Sequence, residues 1–165
     1  MSETRHDRGF TIVRYLDAPR ELVFQAWTDP AQLHWYAGVP PQPEHPSTVD
    51  LRVGGAWRVL LVEPEGRTYV TGGIYHEIDP PEKLVFTWGA VDGWPAIDAD
   101  RPPQDGPIAT VLLKDAGGKT EMTFSISFPD HVGAERIQEW FSVGFLHGWR
   151  DTIDRLAPHL STVEH

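Results

Sequence analysis

Cysteine is absent from the 165 residues. That excludes disulfide frameworks, zinc knuckles, iron–sulfur clusters and thiol nucleophiles, and makes a reducing cytoplasm the expected location. Long apolar runs are missing too: nothing reaches the ~18 residues a membrane span needs, and the first twenty residues lack the unbroken apolar stretch of a signal peptide. Basic charge is scarce. Fourteen Lys and Arg stand against 24 Asp and Glu, a net charge of −10, and the cations are scattered. Nucleic acid needs a concentrated basic face, and anionic membranes attract basic segments, so neither is an expected partner. Catalytic signatures are equally lacking: there is no His-Glu-x-x-His, no Gly-rich phosphate loop before a helix and no Gly-x-Ser-x-Gly. Of the eight histidines, His6, His45, His131, His159 and His165 fall in expected tails, loops or helix ends without metal-site spacing. Asp92, Asp98, Asp100 and Asp105 lack the spacing and glycine of a calcium loop. No metal and no cofactor is expected.

What the chain does have is aromatic surface, with seven Trp, seven Phe and four Tyr, and clear periodicity. The length fits one domain. Phe10, Ile12, Arg14 and Leu16 share one face of an opening strand. Ala18-Pro19-Arg20-Glu21 sets proline at a first helical position before Leu22, Val23, Ala26 and Trp27. Asp29-Pro30-Ala31-Gln32 repeats the device and predicts a second short helix through Leu33, Trp35 and Tyr36. A proline-rich loop spans 38–47. From Thr48 to Phe128 strands alternate with turns, including Val49, Leu51 and Val53 before Gly54-Gly55, and Met122, Phe124, Ile126 and Phe128 after Asp115-Ala116-Gly117-Gly118, which predicts an antiparallel meander. After Asp130, a candidate N-cap, Ile137, Phe141, Phe145, Trp149, Ile153, Leu156 and Leu160 recur at three or four residues and predict one long amphipathic helix, frayed by Pro158. The segment 89–107, acidic and holding four prolines, is long for an internal loop and reads as a lid or an insertion.

This element order is the helix-grip order, and four residue strings carry a closer match. Asp17-Ala18-Pro19-Arg20-Glu21-Leu22-Val23-Phe24 with Ala26-Trp27-Thr28-Asp29-Pro30, Gly54-Gly55-Ala56-Trp57-Arg58, Glu77 through Trp88, and Gly148-Trp149 followed by Asp154-Arg155-Leu156 resemble the activator-of-heat-shock-protein-90-ATPase homologue (Aha1-type) family of the START / birch-pollen-allergen-like (SRPBCC) superfamily. The resemblance implies an α+β helix-grip fold: a curved antiparallel sheet of about seven strands wrapped around a long C-terminal helix, two short helices after the first strand, and a cavity between sheet and helix. It implies one domain over 10–160, with tails at 1–9 and 161–165. It does not imply one reaction, because relatives on this fold include binders, cyclases and a co-chaperone domain.

On that fold the sheet residues expected to face the cavity are Trp57, Val59 and Leu61, then Ile74 and His76, then Phe86, Trp88 and Val111, and finally Met122, Phe124 and Ile126. Phe141, Phe145 and Trp149 would face them from the helix. Core filling and pocket lining both account for these residues. Gly144 and Gly148 in the helix favour a pocket, since each costs about 1 kcal/mol relative to alanine unless space is needed. Arg14 could meet a ligand carboxylate or extend to solvent, and Trp35 with Tyr36 could line the entrance or pack. The first expectation is therefore a protein that binds an apolar, aromatic or polycyclic small molecule. A low-activity cyclase or hydrolase would need His76 as general base, with Tyr69, Tyr75 or Arg14 assisting. A co-chaperone-like module acting through its acidic surface is the alternative class, although the chain leaves no room for the co-chaperone's separate N-terminal domain and a chaperone partner is not favoured. Either a monomer or a homodimer is compatible, with Trp94, Trp140 and His147 as candidate surface contacts.

Overall fold

Alternation and turn chemistry build the sheet. In β8 (Lys119–Ser127) every second residue is buried. The chain enters it from β7 (Ile108–Ala116) through Gly117 and Gly118, whose φ values of +69° and +85° suit a two-residue hairpin turn. The Asp115 carboxylate accepts the Gly118 N–H at 3.1 Å and fixes that turn. Residues 2–37, 47–62, 68–91, 107–130, 132–142 and 144–161 are the ones described by the computed structural model of the chain.

Among the described residues eight strands form one antiparallel sheet. They are β1 (Ser2–His6), β2 (Gly9–Leu16), β3 (Thr48–Val49), β4 (Ala56–Val62), β5 (Thr68–Asp79), β6 (Lys83–Val91), β7 and β8. Their order is β1-β2-β8-β7-β6-β5-β4-β3. Two local expectations change. Residues expected in an N-terminal tail contain β1, which pairs with β2 from Ser2↔Val13 to His6↔Gly9 and supplies the extra strand. Leu51 and Val53, expected on a strand, are exposed. The ladder stops at Val49 because Asp50 N–H bonds to the Ala56 carbonyl and Gly55 N–H to that of Arg52, closing a turn over those residues.

The stretch between β2 and β3 holds α1 (Arg20–Thr28), with Pro19 one position earlier than expected, at the N-cap, and the single turn α2 (His34–Ala37). Asp29 closes α1 with its N–H on the Gln25 carbonyl and opens the next turn by accepting the Ala31 N–H. The C-terminal helix is present but divided into α3 (Ala134–Ser142), α4 (Phe145–Asp154) and α5 (Leu156–Leu160). Gly144 takes the left-handed conformation at φ +88°, which ends one helix and starts another. Pro158 has no N–H to offer the Asp154 carbonyl, so the helix breaks again at Arg155. The helix begins at Ala134 rather than next to Asp130, because Val132 N–H first closes a turn on the Pro129 carbonyl.

One face of the sheet carries the core. Phe10, Ile126, Ala109, Phe86 and Tyr75 stand in register across five strands, each at most 1% exposed. Val23, Trp27, Ile137, Trp149, Ile153 and Leu156 from the helices join the same buried cluster. No helix among the described residues is long and apolar enough to cross a membrane.

Candidate functional site

Six aromatic rings close a circuit over that inner face. Trp57 of β4 meets Tyr36 of α2 at 5.2 Å between centroids, Tyr36 meets Trp149 of α4 at 5.7 Å, and Trp149 meets Phe124 of β8 at 4.8 Å. Phe124 stacks on Trp27 of α1 at 5.8 Å, Trp27 meets Phe86 of β6 at 6.4 Å, and Phe86 returns to Trp57 at 5.3 Å. Register explains the room for two of the bulkiest neighbours. Gly73 lies between Trp57 on one strand and Trp88 on the other, so two indoles can lean over a position without a side chain. A Cβ there would fall 2.7 Å from the Trp57 indole nitrogen.

The polar tips of the tryptophans and tyrosines in and beside the circuit divide into two groups. Trp35 donates its indole N–H to the Ala26 carbonyl at 2.8 Å, and Trp88 donates to the Tyr36 hydroxyl at 3.1 Å. The indole N–H groups of Trp27, Trp57 and Trp149, and the hydroxyl of Tyr75, are buried and have no hydrogen-bond partner among the described residues. Edge-on ring contacts such as Trp57 on Phe86 offer an indole N–H only a weak π acceptor. A buried donor left in this state costs about 1–3 kcal/mol.

No Asp, Glu, His, Lys or Arg side chain belongs to the circuit. Arg155 braces its rim by donating to the backbone carbonyls of Trp35 at 3.2 Å and Tyr36 at 2.7 Å. Arg14, on the inner face beside Met122, donates to the Asp154 carboxylate at 3.0 Å and ties β2 to the end of α4. Among the described residues no group of three or more His, Asp or Glu is arranged to hold a metal ion.

Burial, with the Asp50 charge adding to it, pushes the Tyr75 phenol well above its ordinary value of 10.0. Below pH 10 the phenol is protonated in both folded and unfolded chains and its contribution to stability is constant. Above pH 10 the unfolded chain ionises while the folded one resists, so stability falls by about 1.4 kcal/mol per pH unit. Urea unfolding of wild type and Tyr75→Phe between pH 8 and 11 is expected to show that extra alkaline loss only in wild type. A wild-type minus variant difference that stays constant with pH would contradict it.

The structure brings together Trp57, Val59, Phe86, Val111, Met122, Phe124, Ile126, Trp149 and Trp35 in one buried cluster, with Trp88 and Phe141 packed against it. The side chains of Leu61 and Phe145 lie outside the described residues, as do those of Trp94, Trp140 and Tyr69, the loop at 38–46 and residues 92–106 of the insertion. Ile74 and His76 are corrected. Ile74 is buried with Ala56, apart from the main cluster, and His76 is exposed and bonds the Thr87 hydroxyl. The reason is a bulge: β5 pairs Tyr75 with Phe86 but Glu77 with Val85, so His76 is the extra residue and the alternation reverses across it. Counting back from Ile78, which does face the core, therefore selects the wrong face. Tyr75 takes the inner position instead. The glycine argument is corrected as well. Gly148 is exposed with no described atom near its Cβ position, and Gly144 serves the helix break, so neither makes room over the sheet. Trp27 was legible only as helix packing.

A large curved antiparallel sheet with C-terminal helices held over its inner face places the chain among α+β folds of the helix-grip kind. It belongs to the family described as Activator of Hsp90 ATPase homolog 1-like protein, whose model matches residues 17–161. Among solved structures it is similar to protein Ms6760 from Mycobacterium smegmatis, at 23% identity and TM-score 0.75 over 100% of this chain and 99% of that one. A protein from Arthrobacter aurescens is 25% identical with TM-score 0.78, over 100% of this chain and 94% of that one. NE0264 from Nitrosomonas europaea is 24% identical with TM-score 0.74, over 96% and 97%. No curated protein matches the chain.

Proposed function

We propose that the protein binds an apolar, aromatic small molecule between the sheet and the C-terminal helices. The supporting observation is the aromatic circuit with three buried indole N–H groups, and the Tyr75 hydroxyl beside it, that have no hydrogen-bond partner among the described residues. A core selected for stability alone has phenylalanine or leucine at such positions, or bonds the indole N–H as Trp35 and Trp88 do. Keeping several donors unbonded is a standing cost that a ligand can relieve, in the manner of binding sites that trade stability for function. The four atoms are covered by protein, so a ligand enters by parting the rings. His76 lies on the opposite face, which removes support for a proton shuttle at this site.

The family's name raises a chaperone partner as the second class, and the test carries both. Flavonoid, steroid, polyketide and fatty-acid sets are screened by thermal shift, and an affinity capture with purified Hsp90 is run in parallel. A ligand at a hundred times its Kd stabilises by about 2.7 kcal/mol, or about 5–11 °C for a domain of this size. At least one set is expected to reach that shift. If none moves Tm while Hsp90 is captured, the acidic surface carries the function and the small-molecule reading falls.

A further inference from the structure

We propose that α3 is a strap that opens locally while the rest of the fold stays in place, and that Arg5 of β1 is its latch. Both ends of the strap are anchored. Before it, the Arg8 guanidinium donates to the carbonyls of Pro129 and Val132, the latter at 2.8 Å, and Phe128 N–H bonds the Arg8 carbonyl at 2.9 Å. Beyond it, Trp149 holds α4 in the aromatic circuit. The helix between (Ala134–Ser142) is flanked by Gly133 and Gly144. Gly144 is left-handed at φ +88°, and no described atom lies within 4 Å of a Cβ built at either glycine, so the backbone is unobstructed at both pivots. What α3 covers is the β2 side of the circuit. Ile137 is 1% exposed, and Phe141, one turn further along the same helix face, meets Phe10 edge-on at 6.4 Å. Phe10 in turn lies 6.3 Å from Phe124, the circuit ring on β8. Lifting α3 uncovers Phe10 first and Phe124 behind it, without separating any strands.

The latch comes from the first strand. Arg5 stands opposite Phe10 in the β1–β2 register, which puts its side chain on the inner face beside α3. Its guanidinium carbon lies 3.9 Å from the centroid of the Phe141 ring, and its Nη2 donates to the Gln138 side-chain oxygen at 3.1 Å. One planar group thus holds two positions of α3 at once, by stacking on a ring and by a directed hydrogen bond, a combination that lysine does not reproduce. The opening gives the ligand proposed above a route to the circuit. It is nevertheless a property of the free protein and is tested without ligand, so its failure and that of the binding reading are separate.

Hydrogen exchange of the full chain, followed peptide by peptide, reads the opening. Amides in the second half of α3 are expected to exchange at least about tenfold faster than those in the second half of α4. Their rate is expected to be nearly independent of urea below the unfolding transition, because a local opening exposes little surface. Arg5→Ala is expected to speed exchange in α3 about five- to tenfold, and Arg5→Lys by less. Because the chain has no cysteine, Ile137→Cys and Ile153→Cys, each replacing a residue 1% exposed, give a second reading. The thiol at 137 is expected to react with an aromatic disulfide reagent at least about tenfold faster than the thiol at 153. If either variant does not fold, exchange in the wild type decides. Equal exchange in α3 and α4 with equal urea dependence, or equal reactivity of the two thiols, means that α3 opens only with the whole domain and overturns the strap. An unchanged α3 rate in Arg5→Ala overturns the latch.

Discussion

Replacing Trp149 with alanine is expected to lower the unfolding free energy by about 3–5 kcal/mol, the range for deleting a buried tryptophan. For a domain of this size that is a drop in Tm of about 6–20 °C. Trp149 is 4% exposed and touches Phe124 at 4.8 Å, Trp88 at 5.5 Å and Tyr36 at 5.7 Å. It is therefore the ring through which α4 reaches the sheet and α2 together. The helix is short, cut from α3 at Gly144 and from α5 at Arg155, and ten residues form a marginal helix without tertiary contacts. Thermal and guanidinium melts measure the effect. A loss below 1 kcal/mol would mean that α4 is held by something other than this contact. Gly148→Ala, next to it but exposed and unobstructed, is expected to move stability the other way, by about 0.5–1 kcal/mol, because the helix interior gains alanine for glycine.

Gly72→Ala is the second large effect, expected to cost about 3 kcal/mol or more and to reduce the yield of folded protein. Gly72 pairs with Arg58 on β4 and Gly89 on β6, and an added Cβ would lie 1.8 Å from the Trp57 backbone carbonyl oxygen. Ordinary overpacking displaces side chains at about 1–3 kcal/mol. Here the obstacle is main chain, and relief requires the β4–β5 ladder to open at the residue whose indole enters the circuit. The same substitution at Gly117, where nothing lies within 4 Å, is resisted only by its φ of +69° and is expected to cost less. Denaturant unfolding of the two variants side by side checks the order. Equal losses would mean that glycine's backbone freedom, not the close approach, is what Gly72 supplies.

The sheet was legible wherever alternation ran without interruption. Phe10, Ile12 and Leu16, and Met122, Phe124 and Ile126, could be assigned to the inner face from sequence because nothing shifts β2 against β8. Ile74 and His76 could not, since the bulge in β5 has no local signature and a single extra residue exchanges the two faces. The long terminal helix was over-read because its apolar period continues through both breaks. Only the left-handed Gly144 and the missing N–H of Pro158 reveal them, and each is compatible with an unbroken stripe. The aromatic inventory pointed to the right region, but the feature on which the functional proposal stands was not readable. Trp35 and Trp57 are the same residue type on apolar faces. Whether an indole N–H meets a carbonyl, as Trp35 meets Ala26, or meets none, as in Trp57, depends on neighbours nine residues or more away in the chain.

The position of β2 in the strand order sets the time at which the chain can finish. Its partner β8 begins more than a hundred residues downstream, pairing Leu16 with Thr120 and Gly9 with Ser127. At a synthesis rate of about 5–20 residues per second, β2 and α1 wait on the order of 5–20 s for that strand. During the wait Phe10, Ile12 and Trp27, all finally buried, have no sheet to cover them. The β5 to β8 hairpins can close locally as they emerge, whereas the β1–β2 hairpin joins the rest of the sheet only once β8 has been made. The nascent protein thus carries the apolar residues of β2 and α1 exposed until β8 emerges, and the interval in which they are open to aggregation or to a holding chaperone is written into its topology.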